Sequence, residues 1–181
     1  MIRRIAAAVA TLVVATAMLS GCIGQPAPAE STPLFSSEDE AFAAAEQTYR
    51  NYVDALNQVD LSDPSTFEPV YAWTTGDANA NARESYTRMH ADGWQVSGES
   101  SLALVEPHPR EAGDAGIYDL AVCLDVSDIT GTDAEGKSVV SPDRRDVQSM
   151  LISLKVSVES PTKLLVSNID GREGAPSCDR G

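Results

Sequence analysis

The apolar residues of this chain change their spacing near its middle, and this change limits the folds that the chain can adopt. Between residues 38 and 58 they recur every three to four positions, as in a helix with one buried face. Between residues 117 and 126, and again between 147 and 158, they alternate with polar residues, as in strands with one buried face. Helices followed by antiparallel strands predict an α+β fold.

The first of three expected helices covers residues 38–58. It begins with the capping-box pattern, in which Ser37 is the N-cap and Glu40 lies three residues further on. The acidic first turn also suits the positive end of the helix dipole. The apolar face that predicts this helix consists of Phe42, Ala45, Tyr49, Tyr52, Val53, Leu56 and Val59.

Two shorter helices are expected to follow. The second covers residues 64–73, because it begins with a proline at the first helical position, and Gly76 is expected to end it. The third is expected to be capped by Asp77 or Asn79 and to run to Asp92. The glycine that follows Asp92 can adopt the left-handed conformation of a helix end.

The second half is expected to form an antiparallel sheet of about four strands. Alternation is clearest over residues 117–126, where Asp119, Cys123 and Asp125 lie on the polar face. The polar segment 131–145 predicts a hairpin with a loop. The expected strands cover residues 94–106, 117–126, 147–158 and 164–169. The fold class is therefore α+β, with three N-terminal helices packed on one face of a curved antiparallel sheet.

This order of three helices and about four long strands resembles the cone-shaped fold of the nuclear transport factor 2-like and SnoaL-like proteins. The resemblance covers roughly residues 37–178. It implies that the helices and the sheet enclose a pocket, which in related isomerases and cyclases contains an Asp/His pair. A cystatin-like or other α+β sandwich is the alternative fold.

A second motif, Leu19-Ser20-Gly21-Cys22, ends a basic and then apolar leader. Arg3 and Arg4 precede the uncharged run 5–19, which is shorter than the roughly 20 residues that a membrane-spanning helix needs. The four residues resemble the lipobox of bacterial lipoprotein precursors. The resemblance implies cleavage before Cys22 and a diacylglyceryl group, with fatty acids such as palmitate, on the sulfur of Cys22.

This leader gives the expected domain organisation. Residues 1–21 are expected to be a lipoprotein signal peptide, 22–35 a lipid-anchored flexible tether, and 36–181 a single α+β domain. The alternative is an ordinary secretory signal, cut near Ala15-Thr16-Ala17. The segments TYRNYVDALNQVD, TTGDANANARESYTRMHADGW and GREGAPSC also resemble small actinobacterial lipoproteins. The expected location is the extracytoplasmic face of the cell membrane.

The three cysteines divide into one anchor and one pair. With Cys22 assigned to lipid, Cys123 and Cys178 remain, and in an exported protein such a pair predicts a disulfide. The alternative is two unpaired thiols. Because Cys123 lies opposite the Leu/Val face of its strand, the disulfide is expected on the side of the sheet away from the helices.

Charge and composition exclude several partners. The formal net charge is −14 and the pI is about 4.3, whereas nucleic acid and anionic lipid both require a basic footprint. Two cysteines and two distant histidines supply too few ligands for a metal site. No phosphate-binding glycine loop occurs in the sequence, so neither a metal nor another cofactor is expected.

Few residues could carry out catalysis. In a cone-shaped fold, the Asp/His pair would come from His90, Asp92, Asp119 and Asp125. His90 is better explained as a cation near the C-terminal end of a helix. His108 lies between two prolines and is expected in a structural loop.

Three further patterns favour structural roles. The segment Ser97-Gly98-Glu99-Ser100-Ser101 lacks the second glycine of a nucleophile elbow and lies within a predicted strand. The acidic run Asp125, Asp128, Asp133 and Glu135 lacks the spacing of a calcium-binding EF-hand loop and predicts a solvated loop. The tyrosines and tryptophans of the helical half are expected mainly in the core. If a pocket exists, it is expected at the mouth between the first helix and the sheet.

Two functions fit these residues. The preferred one is a membrane-anchored exported lipoprotein whose domain is a non-catalytic binding or accessory module of the cell envelope. Its expected partners are membrane lipid through Cys22, lipoprotein-processing enzymes during maturation, and an envelope protein or small ligand. The alternative is a cone-fold enzyme of the isomerase or cyclase type that uses a buried Asp or His. That alternative requires an apolar pocket with an ionisable group pointing into it.

Overall fold

The computed structural model describes residues 34–110 and 116–178. The expected signal peptide, the lipobox cysteine and the tether up to residue 33 lie outside these ranges, as do residues 111–115. Within the described ranges, no helix combines the length and the hydropathy needed to cross a membrane.

The first helix, α1, covers Glu38–Leu56 and confirms the expected helix. The Ser37 hydroxyl caps it by accepting a hydrogen bond from the backbone N–H of Glu40 (3.1 Å). The Glu40 carboxylate accepts hydrogen bonds from the hydroxyl and the backbone N–H of Ser36, where the expected capping box would use the N–H of Ser37. These two bonds from Ser36 hold the pKa of Glu40 below its usual range.

The second expected helix is present in two parts. A 3₁₀ helix, Pro64–Phe67, continues directly into α2, Glu68–Ala72. The Asp63 carboxylate caps the 3₁₀ helix by accepting a hydrogen bond from the backbone N–H of Ser65 (3.0 Å). The proline after Asp63 therefore occupies the first helical position, as predicted.

The third helix begins earlier than predicted. The helix α3 covers Gly76–Ala91, so Gly76 starts this helix instead of ending the previous one. The N-cap position belongs to Thr75, and both predicted caps, Asp77 and Asn79, lie inside the first turn. The C-terminal end is as predicted, because residue 92 is the C-cap and the glycine after it has a positive φ of 67°.

Contacts with the sheet explain this earlier start. The backbone N–H of Thr75 donates to the carbonyl of Val166 (2.8 Å), and the N–H of Val166 donates to the carbonyl of Trp73 (3.0 Å). The side-chain amide of Asn79 closes the same turn by donating to the hydroxyl of Thr74 (2.9 Å). The turn is thus held by a strand that lies far along the chain, which the local sequence does not reveal.

The strands form one large and one small antiparallel sheet. The four-stranded sheet has the order β2-β3-β5-β6, and β1 pairs with β4 in a separate two-stranded ladder. The six strands are β1 (Gln95–Ser97), β2 (Ser101–His108), β3 (Ile117–Asp125), β4 (Thr130–Thr132), β5 (Val147–Val156) and β6 (Leu164–Gly171). Three helices on a four-stranded antiparallel sheet confirm the predicted α+β class.

Two strand predictions need correction. The expected strand 94–106 is split into β1 and β2 by a bend at residues 98–100, so its two parts belong to different sheets. The expected strand 147–158 ends at Val156, and Val158 beyond it is 74% exposed. Alternation of apolar residues does not show where a strand stops pairing with its neighbour, because the alternation can continue through a bend in the chain.

The main core lies between the helices and one face of the large sheet. Strands β3, β5 and β6 contribute aliphatic side chains, and α1 and α2 contribute both aromatic and aliphatic ones. The fully or almost fully buried members are Tyr49, Val70, Leu120, Val122, Ile152, Leu154, Leu164 and Val166. Burial of these side chains is the main favourable term in folding.

The C-terminal tail lies against the opposite face of the sheet, at β3 and β5. Cys123 of β3 and Cys178 form the predicted disulfide, with Cα atoms 5.4 Å apart. The backbone N–H of Arg172 donates to the carbonyl of Ser149 on β5 (2.9 Å), so the tail starts next to the sheet. Cys123 is buried but is not part of the helix-facing core. The expected position of the disulfide, away from the helices, is confirmed.

Candidate functional site

An open cavity lies where the C-terminal end of α1, the helix α3, the strand β1 and the end of β3 meet. Its volume is about 690 Å³, which is within the roughly 300–1,000 Å³ of small-molecule sites. The lining is mostly apolar and includes Leu56, Val59, Leu61, Met89, Leu124 and Val126. This is the mouth between the first helix and the sheet, where the sequence predicts a pocket.

The link between β1 and β2 forms one side of the rim. The Asn57 side chain donates to the carbonyl of Ser100 (2.9 Å) and accepts from its N–H (2.9 Å). Gly98 in the same link has φ +96°, and a Cβ at this position would lie 2.0 Å from the carbonyl oxygen of Asp128. A glycine is therefore required where the link passes this neighbouring turn.

Arg144 places a positive charge at the cavity. Its Nη2 donates to the carbonyl oxygens of Val126 (2.9 Å) and Ile129 (3.0 Å), which fix the guanidinium in place. Within residues 34–110 and 116–178, no carboxylate forms an ion pair with Arg144. Glu99, an exposed residue of the rim, also lines the cavity.

A cluster of buried aromatic rings lies at the cavity wall. The ring of Tyr86, which lines the cavity, has its centroid 5.2 Å from that of Phe67 and 6.1 Å from that of Tyr71. Burial raises the pKa of Tyr86, and it raises the pKa of Tyr52 to about 12. These phenols stay protonated near neutral pH. The expectation that such aromatic residues belong to the core is confirmed here, and Tyr86 contributes to the cavity as well.

The residues of the expected Asp/His pair are dispersed, and none of these four lines the cavity. His90 is an exposed residue near the end of α3, and its Nδ1 bonds to a backbone carbonyl (2.7 Å). Asp92 is the exposed C-cap of α3. Asp119 forms an ion pair with Arg110 (3.0 Å), and Asp125 accepts a backbone N–H two residues further on (2.9 Å). The fold therefore assembles no catalytic pair from them.

The remaining sequence patterns have structural roles. His108 is the last residue of β2, opposite Asp119, and not part of a loop as expected. Ser97 ends β1, and its hydroxyl bonds to that of Thr130 (2.8 Å). Asp133 closes a turn by accepting two backbone N–H groups (3.2 and 2.8 Å). In the described part of the chain, no three His, Cys, Asp or Glu side chains are grouped to hold a metal ion.

The sequence does not identify Arg144 as a cavity residue. It lies in the polar segment 131–145, which predicts a loop, and the two carbonyls that orient it belong to a turn about fifteen residues earlier. Gly98 is the residue from which this part of the cavity rim could be predicted, because a glycine inside an alternating run favours a bend.

Comparisons with known proteins give structural neighbours but no family. No family model matches the chain, and no curated protein matches it. A proposed aromatic ring hydroxylase from Novosphingobium aromaticivorans is 13% identical, with a TM-score of 0.47, over 75% of this chain and 96% of its own. CagV, a VirB8 homolog from Helicobacter pylori, is 9% identical, with a TM-score of 0.45, over 71% and 95%.

A third neighbour is a proposed polyketide cyclase from Xanthomonas campestris. It is 13% identical, with a TM-score of 0.34, over 70% of this chain and 90% of its own. Likeness at these identities and TM-scores assigns no activity to this chain.

Proposed function

We propose that this chain is an exported lipoprotein, anchored through Cys22 to the extracytoplasmic face of the cell membrane, whose domain binds a small molecule with an apolar body without transforming it. The observation that carries the binding function is the open, mostly apolar cavity of about 690 Å³. Its walls come from α1, α3 and the sheet, so the folded domain preforms the site.

Two features support the location. The segment Leu19-Ser20-Gly21-Cys22 ends a basic and then apolar leader and resembles a lipobox, and three segments of the chain resemble small actinobacterial lipoproteins. The Cys123–Cys178 disulfide suits an oxidising compartment outside the cytoplasm. An anchor of two acyl chains holds a protein stably at a membrane, whereas one chain does not.

The positions of the candidate residues favour binding over catalysis. An isomerase or cyclase needs an ionisable group next to its substrate. His90, Asp92, Asp119 and Asp125 do not line this cavity. His90 bonds to a backbone carbonyl, Asp119 pairs with Arg110, and Asp125 closes a turn. The acidic residue that does line the cavity, Glu99, is an exposed residue of its rim. The phenols near the cavity hold their protons at neutral pH.

Binding can be tested with N-phenyl-1-naphthylamine, a neutral dye that fluoresces in apolar sites. The full chain with Cys22→Ala is used, so that no attached lipid competes for the cavity. Val96, which lines the cavity and is 44% exposed, is replaced by tryptophan to fill the entrance. If the tryptophan keeps about 60 Å² of the dye's apolar surface out of the cavity, the dye is expected to bind about tenfold more weakly.

Val158→Trp is the matched control, because this residue is 74% exposed and does not line the cavity. It is expected to leave dye binding unchanged. Equal loss in both variants, or no saturable binding to the parent chain, contradicts the proposed site. The anchor is tested separately by fractionating cells that express the wild type or Cys22→Ala. A variant that stays in the membrane fraction refutes lipid attachment at Cys22.

A further inference from the structure

We infer that the molecule bound in this cavity is an amphipathic anion, with a singly charged carboxylate head at Arg144 and an apolar body against the aliphatic walls. This inference rests on the proposed binding function and adds the chemical class of the ligand. It is carried by one cationic side chain that is held at an apolar cavity with unused hydrogen-bond donors.

The guanidinium of Arg144 is positioned by the protein but is not neutralised by it. Within the described residues, its side chain makes two hydrogen bonds, and Nη2 donates both of them, to the backbone carbonyls of Val126 and Ile129. Among the described residues, nothing accepts from Nε or Nη1, and no carboxylate lies within ion-pair distance. A guanidinium has five N–H donors, so three remain for a ligand. A hydrogen bond between a guanidinium and a carboxylate is stronger than one between neutral groups, so these donors favour an anionic ligand.

Three other polar side chains that line the cavity already have hydrogen-bond partners. The Asn57 amide is bonded to the backbone of Ser100 in both directions. The Ser97 hydroxyl is paired with that of Thr130, and the Gln148 amide donates to the carbonyl of Arg145 (2.6 Å). Arg144 is therefore the lining side chain with several donors still to offer, and it determines where the polar end of a ligand lies.

The charge of the lining favours a single negative charge over two. Arg144 is accompanied by one acidic lining residue, Glu99, which opposes a dianion such as a phosphate monoester. The net charge of −14 disfavours an anionic membrane surface as a partner. The same net charge opposes a single head group in the cavity much less, because physiological salt screens exposed charges that lie more than about 8 Å from that head group.

The test measures displacement of N-phenyl-1-naphthylamine from the full chain with Cys22→Ala by three molecules with the same C12 tail. These are laurate, dodecanol and dodecyl phosphate, each used below its aggregation concentration. Laurate is expected to bind about tenfold more tightly than dodecanol, since a charge-assisted hydrogen bond replaces a weak one. Dodecyl phosphate is expected to bind more weakly than laurate.

The variant Arg144→Gln is expected to remove the preference for laurate and to leave dodecanol affinity within about twofold, because the apolar walls are unchanged. Arg145→Gln is the matched control: it removes the same charge from the next residue, which does not line the cavity. It is expected to keep the tenfold preference.

Equal binding of laurate and dodecanol to the parent chain overturns the inference and leaves the proposed function intact. So does an equal loss of both ligands in Arg144→Gln. A tighter binding of dodecyl phosphate overturns the assignment of a singly charged head. If neither the dye nor any C12 molecule binds, the proposed function itself fails. The parent-chain comparison needs no substitution, so it decides the question even if Arg144→Gln does not fold.

Discussion

The side chain of Asn57 and the backbone of Ser100 bind each other in both directions, with two hydrogen bonds of 2.9 Å. Asn57 follows the last residue of α1, and Ser100 precedes β2, so this pair ties the helix to the edge of the large sheet. Since both residues line the cavity, the same pair sets the position of its rim.

Replacing Asn57 by alanine is expected to lower the free energy of unfolding by about 2 kcal/mol, because two hydrogen bonds are lost and the partners at the buried Ser100 are left unpaired. Asn51→Ala, inside α1, is the control. It removes one exposed bond from Gln47 (2.9 Å) and is expected to cost at most about 0.5 kcal/mol. Urea unfolding measures both. Equal costs would show that the pair does not stabilise the rim.

Gly98 and Gly136 allow steric contact to be separated from backbone conformation. Both have positive φ, +96° and +80°. A Cβ at Gly98 would lie 2.0 Å from a backbone oxygen, whereas one at Gly136 would meet nothing within 4 Å. Gly136→Ala is expected to cost about 1 kcal/mol for the left-handed conformation alone, and Gly98→Ala at least about 2 kcal/mol more. Thermal unfolding of the two variants checks this difference; similar melting temperatures would contradict it.

The disulfide is expected to be a major source of stability. Cys123 and Cys178 are 55 positions apart, and closing a loop of this length contributes about 4 kcal/mol in the chain-entropy model. The double variant Cys123→Ala/Cys178→Ala should show this loss in urea unfolding. The wild type with reductant should match the double variant, and the double variant should not respond to reductant. A loss below about 1 kcal/mol would mean that the tail is held without the bond.

Buried tyrosines predict a loss of stability at alkaline pH. Burial raises the pKa of Tyr52 from 10.0 to about 12, and burial also raises the pKa of Tyr49 and Tyr86. Between pH 10 and 12 the unfolded chain has released the Tyr52 proton and the folded protein has not. The free energy of unfolding therefore falls with rising pH, by about 1.4 kcal/mol per pH unit for one group. Below pH 10 Tyr52 is protonated in both states, so its contribution to the free energy of unfolding is fully present.

Tyr52→Phe checks this assignment, because phenylalanine keeps the ring and removes the titrating hydroxyl. The decline of unfolding free energy between pH 10 and 12 should become shallower by about 1.4 kcal/mol per pH unit, with little change of slope from pH 7 to 9. Urea unfolding at a series of pH values gives both slopes. An unchanged alkaline slope in Tyr52→Phe would show that Tyr52 does not hold its proton in the folded state.

Local chemistry explains which parts of the fold are predictable from the sequence. The start of α1 depends on Ser37 and Glu40, three residues apart, and the faces of β3 depend on simple alternation. The side of the sheet that carries the disulfide follows from the same alternation, since Cys123 lies opposite the apolar face. In each case the determining groups lie within a few positions of one another.

The features that the sequence does not reveal depend on distant contacts. The start of α3 is set by hydrogen bonds between Thr75 and Val166, and the split between β1 and β2 by the approach of Gly98 to Asp128. A helical or alternating pattern contains no information on such partners.

The sequence by itself determined the α+β class, the order of helices and strands and the cysteine pair, and it predicts lipid attachment at Cys22. Tertiary structure decided the cavity and its charge: residues of α1, α3 and β3 meet there, and Arg144 is turned toward them by the carbonyls of Val126 and Ile129. The physical reason is that periodicity reports which face of an element is buried, whereas a binding site is formed by packing between elements that are far apart along the chain.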